Sequence, residues 1–334
     1  MALLEFTPYG IFCAEGGFYI DPWRKVERAL ITHGHADHAR AGMGSYLCTD
    51  IAAPVLRHRL GNINLQTITY GKVIEIGSVS VSFHPAGHVP GSAQIRVAKG
   101  GEIWVVSGDY KVADDGLSAP FEPVTCDHFI TESTFGLPVF RWQPQAQIAS
   151  QMNAWWQQCR ANGQTAVLGA YSLGKAQRLL SLIDMNIGPV LTHTAIERTN
   201  AVLRAQGIAL PPTGELTAKT NPKDYEGALL LLPPAASESK WTARWGPRQT
   251  AFASGWMTLR GVRRRRGGDR GFVISDHADW DGLLWAIRET QAENIYVTHG
   301  YTDVFARFLK ENGWTARIVP TEFGGDLDDP EGSQ

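Results

Sequence analysis

Four side chains of the kind that bind metal ions lie within six residues of one another near the amino terminus. They are His33, His35, Asp37 and His38, in the sequence THGHADH that begins at Thr32 and follows an apolar run. Imidazole nitrogens and carboxylate oxygens are the ligands that zinc and related ions take in proteins. The spacing predicts that His33 and His35 serve one ion and that Asp37 and His38 face a neighbouring one. The structural alternative is a solvated polar turn or a helix cap.

Two later segments each add one ligand-type residue. His88 lies in the sequence PAGHVPGS, and Asp109 lies in SGDY, directly after the apolar run 103–106. Taken alone, each is an ordinary loop or turn residue, but their order after the histidine cluster predicts a two-metal centre in which Asp109 bridges both ions. Such a centre lowers the pKa of a bound water toward about 7 and stabilises an in-line displacement. Phosphodiester hydrolysis requires this chemistry.

Length and composition restrict the class of protein. The 334 residues are 43% hydrophobic and 19% charged, which predicts one large or two moderate globular domains and excludes a disordered or collagen-like chain. The net charge is -2, so a nucleic-acid surface has to come from local clustering. The four cysteines form no C-x-x-C pair and give no reason for a disulfide framework, which fits a reducing cytosol. We expect a cytoplasmic protein without a membrane role.

The elements that position these residues change in type along the chain. Short apolar runs broken by glycine predict strands in the first third, and the rest alternates strands with helices. Helices are predicted over 144–161, 172–183, 280–290 and 304–312. Strands between and beside them are predicted over 165–168, 272–275, 295–298 and 315–319.

The succession of motifs resembles the metallo-β-lactamase fold, an αββα sandwich with a dinuclear centre at one edge. The matching residues are Asp21, the cluster that begins at His33, His88 and Asp109. The sequences TESTFG, SDHAD and THG, which begin at 131, 275 and 298, resemble motifs A, B and C of the β-CASP nuclease branch. The resemblance covers nearly the whole chain and implies an α/β fold, a metallo-β-lactamase αββα sandwich with a small inserted β-CASP α/β domain.

This resemblance also implies domain limits. The sandwich would comprise 1–137 and 255–323, and the insertion, 138–254, would lie over the active site. Residues 324–334 would form a flexible acidic tail.

The resemblance implies a role for each candidate residue. The first metal would be held by His33, His35 and His88, and the second by Asp37, His38 and His299, with Asp109 between them and Asp21 as a supporting residue. Asp37, Glu132 and His277 would be catalytic. Within this set, Glu132 would orient His277 as the general acid for the leaving oxygen. Without the resemblance, Glu132 reads as an acid at a helix start and His277 as a loop residue. Zinc is the expected metal, and manganese is the alternative.

Several segments resemble nucleases that act on DNA. The sequence YSLGK, which begins at Tyr171, is similar to a segment of the Artemis-type repair nucleases, as is SGW at 254–256. The opening TPYGI and the compact length look like the bacterial ligase-associated DNA exonucleases. In this interpretation Ser172 and Lys175, with exposed backbone N–H groups, bind a terminal phosphate. The enzyme would then degrade single-stranded or end-containing DNA from the 5′ end in repair, with a DNA ligase and a helicase as functional neighbours.

Other functions remain open from the sequence. Glu132 and His299 look like those of RNA-processing members, so a β-CASP-type ribonuclease is the main alternative. A small-molecule hydrolase would leave Glu132, His277 and the insertion without a task, and non-catalytic relatives usually lack metal ligands, whereas this chain has the full set. Six arginines within 260–270 either follow a nucleic-acid backbone or form a solvated basic loop. Lys175 is likewise either a phosphate ligand or a solvated helix residue.

Overall fold

The computed structural model describes residues 2–237, 240–266, 268–319 and 321. The described residues divide into two compact units, one from Met1–Arg141 and Asp276–Gln334, the other from Trp142–Ser275. The second unit therefore extends beyond the predicted insertion of 138–254. Its carboxyl end differs because a strand at Arg270–Phe272 pairs with the strand at Arg248–Ala253, which keeps 255–275 out of the sandwich. The predicted acidic tail, 324–334, lies outside the described residues.

The first part of the sandwich consists mainly of short strands. They are β1 (Glu5–Thr7), β2 (Gly10–Cys13), β3 (Phe18–Ile20), β4 (Arg28–Leu30), β5 (Ser45–Thr49), β6 (Leu65–Ile68), β7 (Val73–Ile76), β8 (Val79–Pro85), β9 (Ala93–Lys99), β10 (Glu102–Val106) and β11 (His128–Ser133), with helix α1 (Ala53–Leu60) after β5. Strands β1 to β6 form one sheet in that order, and its pairs are parallel from β3 onward. Strands β7 to β10 form antiparallel neighbours in a second sheet.

The second unit alternates strands and helices. The elements are α2 (Gln145–Ala161), β12 (Thr165–Gly169), α3 (Lys175–Leu182), β13 (Val190–His193), α4 (Thr194–Ala205), β14 (Gly214–Leu216), β15 (Leu229–Leu232), α5 (Pro234–Ser237), β16 (Arg248–Ala253), α6 (Arg260–Arg266) and β17 (Arg270–Phe272). Short 3-10 helices lie at Pro222–Tyr225, Lys240–Trp245 and Gly255–Thr258. Helix α3 begins three residues later than predicted, and the strand predicted over 272–275 ends at Phe272.

The chain then completes the sandwich. The last elements are α7 (Trp280–Glu289), β18 (Asn294–Gly300), α8 (Thr302–Glu311) and β19 (Thr315–Ile318). Helix α7 begins where the Asp279 side chain accepts a hydrogen bond from Gly282 N, an ordinary N-cap. Strand β18 pairs in parallel with both β11 and β19 and so extends the second sheet to the order β19-β18-β11-β10-β9-β8-β7.

Alternation along the strands places side chains in two different layers. In β10, Trp104 and Val106 pack between the two sheets with residues such as Leu30 of β4, whereas Val105 faces outward. On its outer face the second sheet packs against residues of α7 and α8, and the outer face of the first sheet packs against α1. The predicted αββα sandwich is confirmed.

The second unit contains a parallel sheet with helices on its faces, as predicted for a small α/β domain. Its order among the described strands is β14-β13-β15-β12-β16-β17. Every residue of β12 and β15 is buried, which agrees with continuous apolar strands covered on both sides. Trp155 and Trp156 of α2 belong to this core. No helix in the described part of the chain is both long and apolar enough to span a membrane.

Candidate metal centre

The ligand-type residues follow strands that run in the same direction. His33 follows β4, His88 follows β8, Asp109 follows β10 and His299 lies near the end of β18. Within each sheet these strands are parallel to one another or separated by one antiparallel neighbour, so their carboxyl ends lie at one edge. The topology therefore brings together residues that are up to 266 positions apart in sequence.

Four side chains form the first candidate metal group: His33, His35, His88 and Asp109. His35 Nδ1 lies 3.2 Å from His33 Nε2 and 3.1 Å from His88 Nε2. Asp109 Oδ2 lies 3.5 Å from His33 Nε2 and 3.9 Å from His88 Nε2. A tetrahedral zinc site with metal–nitrogen bonds of about 2.05 Å has ligand atoms about 3.3 Å apart. These four side chains fit an ion of that size.

Burial keeps the histidines of this group in the form that binds metals. Desolvation, together with the neighbouring His38, holds the pKa of His33 well below its usual value, and desolvation lowers the pKa of His88 to about 3. Both imidazoles are therefore neutral near pH 7. Their outer nitrogens, Nδ1, contact Thr32 Oγ1 at 3.1 Å and the Asp276 carbonyl at 2.9 Å, which leaves the Nε2 lone pairs facing inward.

His38, Asp109 and His299 form a second candidate group on the other side of Asp109. His38 Nε2 lies 3.4 Å from Asp109 Oδ2 and 3.6 Å from Asp37 Oδ2. This nitrogen is buried and has no hydrogen-bond partner among the described residues, which a metal ion would provide. The same Asp109 oxygen thus lies close to histidines of both groups. Asp37 adjoins the second group, and its side chain is 24% exposed.

The charge on His38 is set by the carboxylates around it. Burial alone would lower its pKa, but Asp109, Asp37 and Asp21 raise the pKa well above the usual value for histidine. Asp109 shows the reverse effect: although burial raises its pKa, the nearby His38 holds the pKa well below normal. The charged forms of His38 and Asp109 therefore stabilise each other.

Asp21 connects the two groups through Thr32, a residue that the sequence analysis did not single out. Asp21 Oδ2 accepts hydrogen bonds from His38 Nδ1 at 2.7 Å and from Thr32 Oγ1 at 2.5 Å, and Asp21 Oδ1 accepts from Thr32 N at 2.8 Å. Because its proton goes to Asp21, the Thr32 hydroxyl accepts from His33 Nδ1. One carboxylate therefore orients a histidine in each group. The only signal in the sequence is the position of Thr32 beside the cluster.

Glu132 and His277 are in direct contact, and both are buried. His277 Nδ1 lies 3.0 Å from Glu132 Oε1 and 2.9 Å from Glu132 Oε2, so it donates to the carboxylate. Glu132 Oε1 also accepts from Tyr110 N at 2.9 Å, which fixes the carboxylate. The rings of His277 and His88 lie 4.7 Å apart between centroids. The pair therefore adjoins the first candidate metal group.

An irregularity in β18 directs His299 toward the site. The register between β11 and β18 shifts after Glu132, and His299 has a left-handed backbone with φ 52°. Bulges of this kind reorient single side chains at functional sites. The next residue, Gly300, also has positive φ, and a Cβ there would lie 2.4 Å from Ser133 O. Only glycine fits at this position.

Ser172 and Lys175 belong to the second unit, in the loop between β12 and α3. Lys175 is buried, with Nζ 5.1 Å from the centroid of the Tyr171 ring, so it is not a solvated helix lysine. Gln177 accepts a hydrogen bond from Gly174 N and donates to Ser172 O and to Asn200 Oδ1.

The backbone at the start of α3 corrects one expectation. The N–H groups of Gly174, Lys175 and Ala176 donate to Gln177 Oε1, Leu173 O and Tyr171 O, respectively. They are therefore used within the loop rather than exposed for a phosphate.

The cysteines are free thiols buried away from this chemistry. Desolvation raises the pKa of Cys48 and of Cys126 to about 12 and that of Cys159 to about 11, and it also raises the pKa of Cys13. Thiols that stay protonated are poor nucleophiles. The predicted absence of a disulfide framework agrees with these four free cysteines.

Comparison with known proteins gives partial matches. No family model matches the chain. A "Probable DNA ligase" from Opitutus terrae is 30% identical over 315 residues, which are 93% of this chain but 30% of the relative. "RNase aCSPSF2" from Saccharolobus solfataricus is 28% identical over 36% of this chain and 25% of its own, and "Endoribonuclease YSH1" from Candida albicans is 28% identical over 48% and 18%. The chain thus spans less than a third of each of these relatives.

A solved structure supports the fold over a longer span. A protein of unknown function from Enterococcus faecalis V583 aligns with a TM-score of 0.60 and 13% identity, covering 88% of this chain and 79% of that one. The chain has the metallo-β-lactamase fold with an inserted α/β domain. Its similarity to proteins named as ribonucleases agrees with the resemblance to the β-CASP nucleases seen in the motifs.

Proposed function

We propose that this protein is a metal-dependent nuclease that hydrolyses phosphodiester bonds in DNA. The observation that carries the proposal is the position of Asp109, whose Oδ2 lies within 3.9 Å of the Nε2 atoms of His33, His38 and His88. The histidine nitrogens around this carboxylate cannot all carry protons, so the group is suited to bind a pair of divalent cations. His33, His35 and His88 would hold one ion, and Asp37, His38 and His299 the other. Zinc fits the histidine-rich set, and manganese is the alternative.

Bound cations would supply Lewis acidity to the scissile phosphate and to the attacking water. The residues of the chain would provide the rest of the chemistry. Asp109 would contribute to holding both ions, and Asp21 would orient the His38 ring through its Nδ1. Asp37, the most exposed of the three nearby carboxylates, would lie beside the attacking water.

His277 would supply the proton that the leaving sugar oxygen takes up. Its Nδ1 is bound to Glu132, so only Nε2 can exchange a proton with a substrate. The buried carboxylate stabilises the protonated ring and fixes its orientation, which a general acid requires. This assignment uses both residues that a simple small-molecule hydrolase would leave without a task.

We choose DNA as the substrate because of the length of chain over which the relatives match. The similarity to the protein named as a probable DNA ligase extends over 93% of this chain, whereas the similarity to the named ribonucleases covers less than half of it. The same match supports an association with a DNA ligase in repair, to which we add a helicase as a further expected neighbour. The ribonuclease names favour RNA as the second candidate substrate.

Within this proposal the enzyme is an exonuclease that starts at a 5′ end. Lys175 and Ser172 would bind the terminal phosphate. A strand with a 5′-phosphate should then be degraded faster than the same strand with a 5′-hydroxyl, and Lys175→Ala should remove most of that difference. Release of a 3′ label first would contradict this polarity.

The proposal is tested by digestion of end-labelled single- and double-stranded DNA and matched RNA with zinc, manganese or magnesium. Asp109→Asn should abolish cleavage, whereas Asp127→Asn changes a carboxylate that only accepts from Ile103 N and should leave it intact. Equal cleavage by wild type and Asp109→Asn, or activity of fully metal-free protein, would refute a metal nuclease. Faster cleavage of RNA than of DNA would instead establish the second candidate.

A further inference from the structure

Helix α6 carries a group of exposed arginines that the proposed chemistry does not use. Arg260, Arg264 and Arg265 are exposed, and none of them pairs with a carboxylate among the described residues. The sequence from 251 to 268 contains no Asp or Glu. The nearest following acid, Asp269, directs Oδ2 to Thr250 N at 2.7 Å and Thr250 Oγ1 at 3.1 Å. The helix therefore concentrates positive charge in a chain whose net charge is -2.

The helix is fixed to the unit by contacts that leave these arginines in solvent. Val262 packs against a small cluster of Tyr171, Phe252 and Met257. Arg263 donates from Nε and NH2 to Met257 O at 2.9 and 2.6 Å, so this fourth arginine holds the helix to the preceding 3-10 turn. At about 100° per residue, Arg260 and Arg264 lie on the side of the helix opposite Val262. Like charges four residues apart destabilise a helix by roughly 0.2–0.5 kcal/mol, so the arrangement favours an anionic partner.

The position of α6 relates it to the loop that carries Lys175. Strands β12 and β16 are parallel neighbours, so the loops that follow them leave the sheet at the same edge. The Tyr171 ring belongs to the cluster under Val262 and also lies 5.1 Å from Lys175 Nζ. Arg260 and Arg264 are separated by about 6 Å along the helix axis, close to the rise of two nucleotides at about 3.4 Å each. The spacing suits phosphates that are two nucleotides apart on one strand.

We infer that the arginines of α6 bind the backbone of a single nucleic-acid strand whose end is held by the Lys175 loop. This inference rests on the proposed function and adds to it a surface of the second unit that binds the backbone of the substrate. The contacts are to phosphates and carry no sequence information, so binding should be independent of base sequence and strongly dependent on salt.

The test measures the salt dependence of binding. The patch variant is Arg260→Gln, Arg264→Gln, Arg265→Gln, and the control variant of equal charge is Lys72→Gln, Lys310→Gln, Arg317→Gln, all exposed residues of the first unit. Binding of a fluorescent phosphorothioate DNA of about 20 nucleotides, which resists hydrolysis, is followed by anisotropy with metal-loaded protein. Three lost phosphate contacts should reduce the slope of log K against log salt by about 2. Affinity near 0.1 M salt should then fall about 100-fold, with the difference vanishing toward 1 M.

The outcomes separate this inference from the proposed function. Equal salt-dependence slopes for the patch and control variants would overturn the inference. It would also be overturned if the patch variant kept the wild-type slope for DNA but lost affinity for polyglutamate, because that result would indicate an acidic protein partner. A reduced slope in a protein that cleaves no nucleic acid would support the inference while refuting the nuclease.

Discussion

Asp21→Asn is expected to weaken binding of the second metal selectively. Asparagine is the right substitution because Asp21 has φ 42°, a left-handed conformation that asparagine adopts more readily than alanine. Thr32 N requires an acceptor, so the asparagine oxygen should take the place of Oδ1 and its NH2 group that of Oδ2. That group then faces His38 Nδ1 and Thr32 Oγ1, which both donate to Oδ2 in the wild type.

The expected magnitude follows from these contacts. The NH2 group would donate to His38 Nδ1 and shift the ring proton to Nε2, the atom that faces Asp109 at 3.4 Å. Metal binding then requires the unfavourable tautomer and loses a charge-assisted hydrogen bond worth about 1.5–3 kcal/mol. Loss of an outer partner of a metal-binding histidine typically costs about 10–100-fold in affinity. His33 is linked to Asp21 only through Thr32, so the first metal should lose less than about 10-fold.

Competition with a chromophoric chelator, followed by elemental analysis, measures both affinities. Asp127→Asn is the matched control, because it changes a carboxylate that accepts from Ile103 N before the start of β11. At a chelator concentration that leaves the wild type with two ions, Asp21→Asn should retain one. Two ions retained with unchanged affinity, equal losses at both sites, or the same loss in Asp127→Asn would each refute the reasoning.

Three further predictions concern the same edge of the sandwich. His277→Ala should keep both metals and substrate affinity but lose about 10²–10⁴-fold in rate, and the defect should shrink for a substrate with a good leaving group; equal defects on both substrates would reassign the residue. Because the pKa of His38 is raised while those of His33 and His88 are lowered, uptake of the second ion near pH 7 should release about one imidazole proton from His38, whereas His33 and His88 should release none on uptake of the first. Calorimetry in two buffers of different ionisation enthalpy measures the number of protons released with each ion. Release of the proton with the first ion would contradict this prediction. Removal of the metals with a chelator should abolish cleavage and lower the melting temperature, while far-ultraviolet circular dichroism keeps the folded spectrum; an unfolded spectrum would show that the metals hold the fold.

The fold was predictable because its signals are local or carried by motifs. The apolar run 165–168 identified the buried strand β12, and the resemblance carried by the motifs implied the αββα sandwich. The limit of the second unit was not predictable in the same way. The segment 255–275 contains the short strand β17, and its three residues are too few to show a periodic pattern. They form a strand because they pair with β16, beginning with Ala251 and Arg270. A pairing across 19 residues leaves no pattern within either segment.

The candidate site was predictable in its members but not in its outer contacts. Histidines and aspartates are uncommon at such spacing, so the residue types indicated the cluster. Thr32, the Asp276 carbonyl and the Tyr110 N–H are common groups whose role comes only from position. The burial of Lys175 was equally hidden, since a lysine after glycine at a helix start usually lies in solvent.

These outer contacts fix the orientation of the rings in the candidate metal centre. Four histidines have the nitrogen remote from the cluster centre bonded to the protein: His33 to Thr32, His38 to Asp21, His88 to the Asp276 carbonyl and His277 to Glu132. Each contact fixes a ring orientation and places a proton on the outer nitrogen, because carboxylates and carbonyls only accept and the Thr32 hydroxyl already donates its proton to Asp21. The inner nitrogens of His33 and His88 are thereby kept as lone pairs beside Asp109, whereas the inner nitrogen of His277 is the one proposed to carry the proton for the leaving oxygen.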